Sequence, residues 1–240
     1  MPAIQKIFKR YEIKYLLDAE EYNRVKSAME EFMTQDIYGL HTICNIYYDT
    51  DQFTLIRHSI EKPVYKEKFR VRSYGVPKES DPVFLEIKKK YKGVVSKRRV
   101  VTTLNQARKY LQDKEDCIER SQILNEIDYI FQKENLVPKV YIAYDRIAYY
   151  GKENPEIRMT IDTNMRYREK DLDLSMGDYG EPILKDKKYL MEIKLPDAMP
   201  LWMSHILTKN KIYPISFSKY GTCYKDELIY SNHMESNFNR

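Results

Sequence analysis

The chain has 240 residues, 42% hydrophobic and 32% charged, with 41 Lys+Arg against 36 Asp+Glu and a formal net charge of +5. That length builds one large domain or a fused pair, and 13% aromatics beside so many charges exclude a disordered chain. No apolar run approaches the ~18 residues of a membrane helix, and Met1-Pro2-Ala3-Ile4-Gln5-Lys6 lacks the apolar core of a signal peptide, so a cytoplasmic chain with no membrane segment is expected.

Phe8 to Leu17 alternates in residue type and reads as a strand, followed by a helix that Asp18 and Glu21 can open as a capping box. Tyr22, Val25, Met29 and Phe32 then recur at helical spacing. Strands are expected over Ile43 to Tyr48, Tyr65 to Tyr74, Val83 to Lys90 and Val94 to Thr103, separated by turn-rich segments such as Gly75 to Pro82. Asn105 to Asn135 reads as helical, with Leu124, Ile127, Ile130 and Phe131 on one face. After Pro138 come strands over Val140 to Tyr150, Ile157 to Thr163 and Tyr189 to Leu195, then a helix near Leu201 to Thr208. The pattern predicts a single α+β domain over 1–230 with a mainly antiparallel sheet, and a flexible tail over 231–240.

Residues two apart share a face of a strand. One face of Tyr65 to Arg72 therefore carries Lys66, Lys68, Arg70 and Arg72, while Phe69 and Val71 point the other way. In the next strand Glu86, Lys88 and Lys90 oppose Val83, Leu85 and Ile87. Arg10, Glu12 and Lys14 oppose Tyr11, Ile13 and Tyr15; Arg158, Thr160 and Asp162 oppose Ile157, Met159 and Ile161; Glu192 and Lys194 oppose Met191, Ile193 and Leu195. Any one such stripe is what a sheet with one wet face shows. Repeated over five strands, with no acid interposed among Lys66, Lys68, Arg70 and Arg72 on their shared face, it stacks like charges that an unspecialised surface would intermix. A polyanion would offset that repulsion. If the sheet closes into a barrel with these faces inward, they line a cationic channel while the apolar faces pack against outer helices.

The acids refine this picture. Glu12-Ile13-Lys14, Glu86-Ile87-Lys88 and Glu192-Ile193-Lys194 each place a carboxylate beside a lysine on the charged face. Such a pair can be a simple ion pair, or the oxygen ligand through which Mg²⁺ or Mn²⁺ bridges protein to phosphate. Other chemistries find little support. His41, His58, His205 and His233 have no HxxxH or HExxH spacing, and Cys44, Cys117 and Cys223 form no CxxC. Seven glycines make neither GxGxxG nor GxxxxGK[ST]. Among 22 tyrosines, Tyr47, Tyr48, Tyr144, Tyr149 and Tyr150 read as strand packing.

Taken in order, Arg10-Tyr11-Glu12-Ile13-Lys14-Tyr15, Tyr47-Tyr48-Asp49-Thr50, Phe69-Arg70-Val71-Arg72-Ser73-Tyr74, Leu85-Glu86-Ile87-Lys88, Ser96-Lys97-Arg98-Arg99, Tyr144-Asp145-Arg146, Ile157-Arg158-Met159-Thr160-Ile161-Asp162-Thr163, Met191-Glu192-Ile193-Lys194 and Phe217-Ser218-Lys219-Tyr220 resemble the VTC domain, a polyphosphate polymerase domain. The resemblance runs from about Phe8 to Gly221 and places the chain in the triphosphate tunnel metalloenzyme superfamily, which includes the CYTH proteins. It implies an eight-stranded antiparallel closed β-barrel, a tunnel with a charged lumen and helices packed outside. It also implies metal-dependent transfer of the ATP γ-phosphoryl group to a growing polyphosphate chain, with Mn²⁺ or Mg²⁺. Arg70, Arg72, Lys88 and Arg158 are then the catalytic cations, and Lys14, Lys97, Arg99, Arg146, Lys194, Ser218 and Lys219 bind phosphate. Glu192, Glu86 and Glu12 are the metal ligands, with Glu192 the principal one. The motif leaves open whether Lys97 or Arg99 faces the lumen. Also open are the acceptor, the oligomeric state and a membrane partner for the product, since eukaryotic members carry a membrane anchor and a regulatory domain not read in this sequence. Two rivals stand beside this reading: a tunnel-type nucleoside or inorganic triphosphatase, and a non-catalytic module binding a polyanion or nucleic acid. Nucleic acid is the less expected partner, because the Glu-Ile-Lys acids would repel its backbone.

Overall fold

The computed structural model describes residues 11–92 and 94–228. The Phe8–Arg10 start of the first expected strand and the expected tail over 231–240 lie outside them. The chain forms two compact units, one from residues up to 41 with 145–164 and 184–217, the other from 42–144, 165–183 and 218 onward.

In the first unit, β1 (Tyr11–Leu17) pairs antiparallel with β10 (Tyr189–Leu195), and β10 with β8 (Arg158–Arg168). The short β2 (Met33–Gln35) lies on the end of β7 (Val137–Gly151). Helix α1 (Ala19–Met29) starts where the sequence predicts. Asp18 Oδ1 accepts from the Glu21 amide at 2.8 Å, and the Asp18 amide donates to Glu21 Oε2 at 2.9 Å, so two amides the helix cannot satisfy itself are paired. The apolar faces of the strands, Tyr15, Leu17, Met159, Ile161, Met191 and Ile193, pack with Val25 and Met29 of α1 and with Met203 and Leu207 of α5 (Leu201–Lys209).

The second unit is built on β3 (His41–Asp49), β4 (Tyr65–Tyr74), β5 (Pro82–Tyr91) and β6 (Val94–Thr103) in successive antiparallel pairs. Its core joins Phe69, Val71, Leu85 and Ile87 to Leu124, Ile127 and Ile130 of α4 (Gln122–Glu134). The expected helix over Asn105 to Asn135 is divided. α3 (Leu104–Arg108) runs into a single π turn, the left-handed Lys114 (φ 60°) stops it, and Ser121 caps α4 afresh by accepting from the Leu124 amide. An unexpected helix, α2 (Thr54–Ile60), follows β3 because the buried Asp49 accepts from the amides of Leu55 and Ile56 at 2.8 and 3.0 Å.

The α+β class and the antiparallel sheet are as expected; closure into an eight-stranded barrel is not. Among the described residues the sheet has ten strands, and its hydrogen-bonded order runs β1-β10-β8-β7-β3-β4-β5-β6, with β2 and the two-residue β9 (Glu181–Pro182) off that path. Among the described residues, β1 and β6 are the ends and no ladder joins them. β1 makes one isolated bridge on its other side, Lys14 with Ile215. The physical reason lies in what alternation encodes: it sets which side chains share a face, whereas closure requires the two edge strands to stagger into register. Among the described residues no helix is long and apolar enough to cross a membrane.

Candidate functional site: two clusters of cations and carboxylates

In the second unit, register sets the charged face. Asn45 lies opposite Arg72 and Tyr47 opposite Arg70; Arg70 lies opposite Glu86 and Glu86 opposite Arg99; Lys68, Lys88 and Lys97 form the next row. Glu86 is the hub. Its Oε2 accepts from Arg70 Nε at 2.8 Å and lies 2.7 Å from Arg70 Nη2, while Arg72 Nε stands 3.7 Å away and Lys97 Nζ is 3.2 Å from Oε1. Three cations thus share one carboxylate, leaving this cluster positive. Burial raises the proton affinity of Glu86, but Arg70, Arg72 and Lys97 outweigh it and hold the carboxyl down at about 2. Burial and the repulsion of Arg72 and Arg70 bring Lys97 down to about 8 despite Glu86.

Polar contacts fix both arginines. Arg70 Nη1 donates to the Tyr47 phenol at 2.9 Å, Arg72 Nη2 to the Tyr144 phenol at 3.1 Å, and Arg72 Nε to Asn45 Oδ1 at 2.9 Å. Burial opposes ionisation of Tyr47, yet the charges of Arg70, Arg72 and Lys68 leave its phenol below the ordinary value. Asp49 positions the Phe-Ser-Lys-Tyr segment by accepting from Tyr220 Oη at 2.9 Å, and Tyr220 stacks on Tyr47 with centroids 4.9 Å apart. Ser218 caps α6 (Lys219–Cys223) by accepting from the Gly221 amide, and it also accepts from Lys68 Nζ at 3.3 Å. Lys219 Nζ is buried 4.2 Å over the Tyr144 ring. Lys97 and Arg99 share the face, being two apart: Lys97 turns to Glu86, and Arg99 lies 4.8 Å over the Phe84 ring. Lys88 is exposed between Lys68 and Lys97.

The first unit carries a checkerboard. Lys14, Glu192 and Thr160 lie in one row across β1, β10 and β8, and Glu12, Lys194 and Arg158 in the next. Lys14 Nζ is 3.1 Å from Glu192 Oε1 and 3.5 Å from Glu12 Oε1, and donates to the Phe217 carbonyl at 3.2 Å. Burial pulls the Lys14 ammonium down, but the two carboxylates win and raise it. Arg146 grips the fully buried Asp162 with both edges of its fork, at 2.6 and 2.8 Å. Arg158 is exposed, 5.8 Å over the Tyr150 ring.

Among the described residues no three His, Cys, Asp or Glu side chains converge as a self-sufficient metal cage. Mg²⁺ and Mn²⁺ need less, since one or two carboxylates with substrate phosphates suffice. Glu12 and Glu192 fit that role: they meet at one lysine, and Thr160 Oγ1, directly across from Glu192, is buried with no hydrogen-bond partner. Glu86 fits it poorly, because Arg70, Arg72 and Lys97 crowd its oxygens.

Sequence reading took Tyr47 and Tyr144 for packing, passed over Asn45, and quoted Asp49 only within the Tyr47-Tyr48-Asp49-Thr50 motif, with no role of its own. A signal for Asn45 and Tyr47 was present. They sit two apart in the otherwise apolar run from Ile43 to Tyr48, the spacing of a polar face.

A family model of the VTC domain matches residues 9–227. No curated protein matches the chain. Among solved structures, a candidate adenylate cyclase from Bacillus halodurans is 13% identical, with a TM-score of 0.54 over 86% of this chain and 92% of that one. A candidate adenylyl cyclase from Hippeastrum, described with a dominant triphosphatase activity, is 15% identical, with a TM-score of 0.50 over 87% and 92%. At these identities the likeness is one of fold.

Proposed function

The chain belongs to the VTC domain family, and from that premise we propose that it transfers the γ-phosphoryl group of ATP to the end of a growing inorganic polyphosphate chain. The observation that carries the reading is the trio of Arg70, Arg72 and Lys97 held around the single carboxylate of Glu86. Phosphoryl transfer needs donor and acceptor in line and charge neutralised on the equatorial and leaving oxygens, with little covalent chemistry from the protein. Arg70 and Arg72 present planar donors already oriented by Glu86, Tyr47, Asn45 and Tyr144, so little is lost in ordering them when a phosphate arrives. Lys88, Lys97, Arg99, Ser218 and Lys219 supply further contacts in that unit, and Lys14, Lys194 and Arg158 offer the same chemistry in the other. Arg146 is committed to Asp162 and acts by holding that strand pair in place. An oxygen of the acceptor's terminal phosphate bonds to the γ-phosphorus, the β–γ bridging bond breaks, and ADP leaves with that electron pair. The attacking oxygen is already ionised, so no general base is required. Mn²⁺ or Mg²⁺ at Glu12 and Glu192, when bound, supplies added neutralisation of phosphate charge.

Incubating the protein with ATP and Mn²⁺, then resolving polymer on a gel and assaying free phosphate, tests the reading. Long polyphosphate is the expected product. Orthophosphate alone would identify a triphosphatase, and neither product would leave a binding module.

A further inference from the structure

At the end of the β4–β5–β6 ladder away from the arginines, two turns lie side by side. The turn leading into β4 and the turn joining β5 to β6 are tied by the Lys92 amide, which donates to the Val64 carbonyl at 2.9 Å. Tyr65 pairs here with Tyr91 and Tyr91 with Val94; in the row behind, Lys66 pairs with Lys90 and Lys90 with Val95. Successive rows point to opposite faces, so this end presents apolar and cationic side chains together. The apolar ones stand in water: Val64 is 63% exposed, Tyr91 54%, Val94 47% and Val95 48%. A lone exposed valine is ordinary, whereas several beside tyrosines mark a contact surface. Lys62 and Lys92, both exposed, occupy the two turns. Their φ angles, 56° and 46°, lie in the left-handed region that favours glycine or asparagine, so each turn carries a cation where a long side chain costs stability. Among the described residues Lys62, Lys66, Lys90 and Lys92 form no ion pair; Lys66 donates to the Ser59 carbonyl at 3.0 Å, and Lys92 lies 5.4 Å over the Tyr91 ring. Of the acids at this end, Glu67 accepts from the Tyr65 phenol at 2.6 Å, Glu126 pairs with Lys89 at 2.9 Å, and Glu61 is exposed. Burial first, and then Lys90, Lys88 and Lys62, lower the proton affinity of Lys66, so these ammonium groups feel one another.

We propose that this tip, with Val64, Tyr91 and Val94 at its front and Lys62, Lys90 and Lys92 around them, docks on an anionic lipid bilayer. Both halves of its chemistry are then used: the valines and tyrosine rings enter the headgroup boundary, where rings with a polar end are enriched, and the ammonium groups meet lipid phosphates. A free polyanion would engage the lysines and leave the valines in water. A second copy of the chain would set lysines against lysines. The contact is peripheral, made by the ends of strands, and needs no spanning segment. It stands apart from the Arg70 cluster, in which Lys62, Val64, Lys92 and Val94 take no part.

The test titrates the full chain with vesicles of phosphatidylcholine, with and without phosphatidylglycerol, and reads bound protein by cosedimentation. Lys62→Asn/Lys92→Asn removes two charges and places at both turns a residue suited to the left-handed conformation. Val64→Ser/Val94→Ser removes the apolar half. Wild type should bind the phosphatidylglycerol vesicles and not the zwitterionic ones. Each lysine near an anionic surface accounts for about fivefold in affinity, so the asparagine pair should lose about 25-fold. The serine pair should lose about tenfold, from valine surface left in water. Urea titration checks that both pairs fold, and Lys92→Asn alone, expected to lose about fivefold, keeps the test open if either does not. No binding to either vesicle, equal binding to both, or wild-type binding by both pairs would each overturn the inference. So would displacement from vesicles by free tripolyphosphate beyond what salt of the same ionic strength achieves, or single-stranded RNA bound with the same dependence on both pairs. Failure here leaves the phosphoryl-transfer reading standing, because ATP turnover without vesicles tests that separately.

Discussion

Glu86→Gln separates an acid that organises cations from one that binds metal. The amide keeps the shape but removes the anion that Arg70, Arg72 and Lys97 share. The side chain is 1% exposed, so solvent screening does little to discount the interaction. Its carboxyl is held at about 2 against an ordinary 4.5, which corresponds to about 3 kcal/mol at about 1.4 kcal/mol for each tenfold change in proton affinity. Removing one partner of a buried ion pair costs about 3–5 kcal/mol, the same size. Because the folded value is depressed, this stability is present in full above pH 4.5 and is lost as pH falls toward 2. Urea unfolding at low salt should show Glu86→Gln less stable by about 3 kcal/mol at pH 7. The gap should close toward pH 2, and added tripolyphosphate should narrow it, since phosphate oxygens can take over the carboxylate's place between the cations. A gap under about 1 kcal/mol, or one that ignores pH, would refute the reasoning. So would a variant of unchanged stability that has lost stabilisation by Mn²⁺.

Three further outcomes are expected. Arg158→Ala should lower turnover at least 100-fold while leaving the unfolding free energy from urea titration within about 0.5 kcal/mol of wild type, because the side chain is exposed; Arg70→Ala should also abolish turnover but destabilise, since it strands Glu86, and a stable, active Arg70→Ala would count against the cluster. Glu12→Gln and Glu192→Gln should each weaken Mn²⁺-dependent binding of tripolyphosphate about 10–100-fold, a span typical of disturbed metal sites, with metal-free binding unchanged or tighter; calorimetry with and without Mn²⁺ reads both, and equal effects in the two conditions would remove the acids from metal binding.

Much of this was written in the strands themselves. Period-two alternation in Tyr65 to Arg72, Val83 to Lys90 and Glu192 to Lys194 assigns each cation to a face whatever the sheet does next, because neighbouring side chains on a strand must point oppositely. The Asp18–Glu21 capping box and the apolar stripe of α4 are equally local. Pairing across strands is not local, and it alone decided which charges meet: that Glu86 sits against Arg70 while Glu12 and Glu192 share Lys14, although all three acids lie in the same Glu-Ile-Lys triplet. Asp49 shows the same limit, for nothing local assigns it a role until the fold brings Tyr220, distant in sequence, to its carboxylate. Closure is the furthest from the sequence, because an open sheet and a barrel demand identical alternation and differ only in whether the two edge strands find each other.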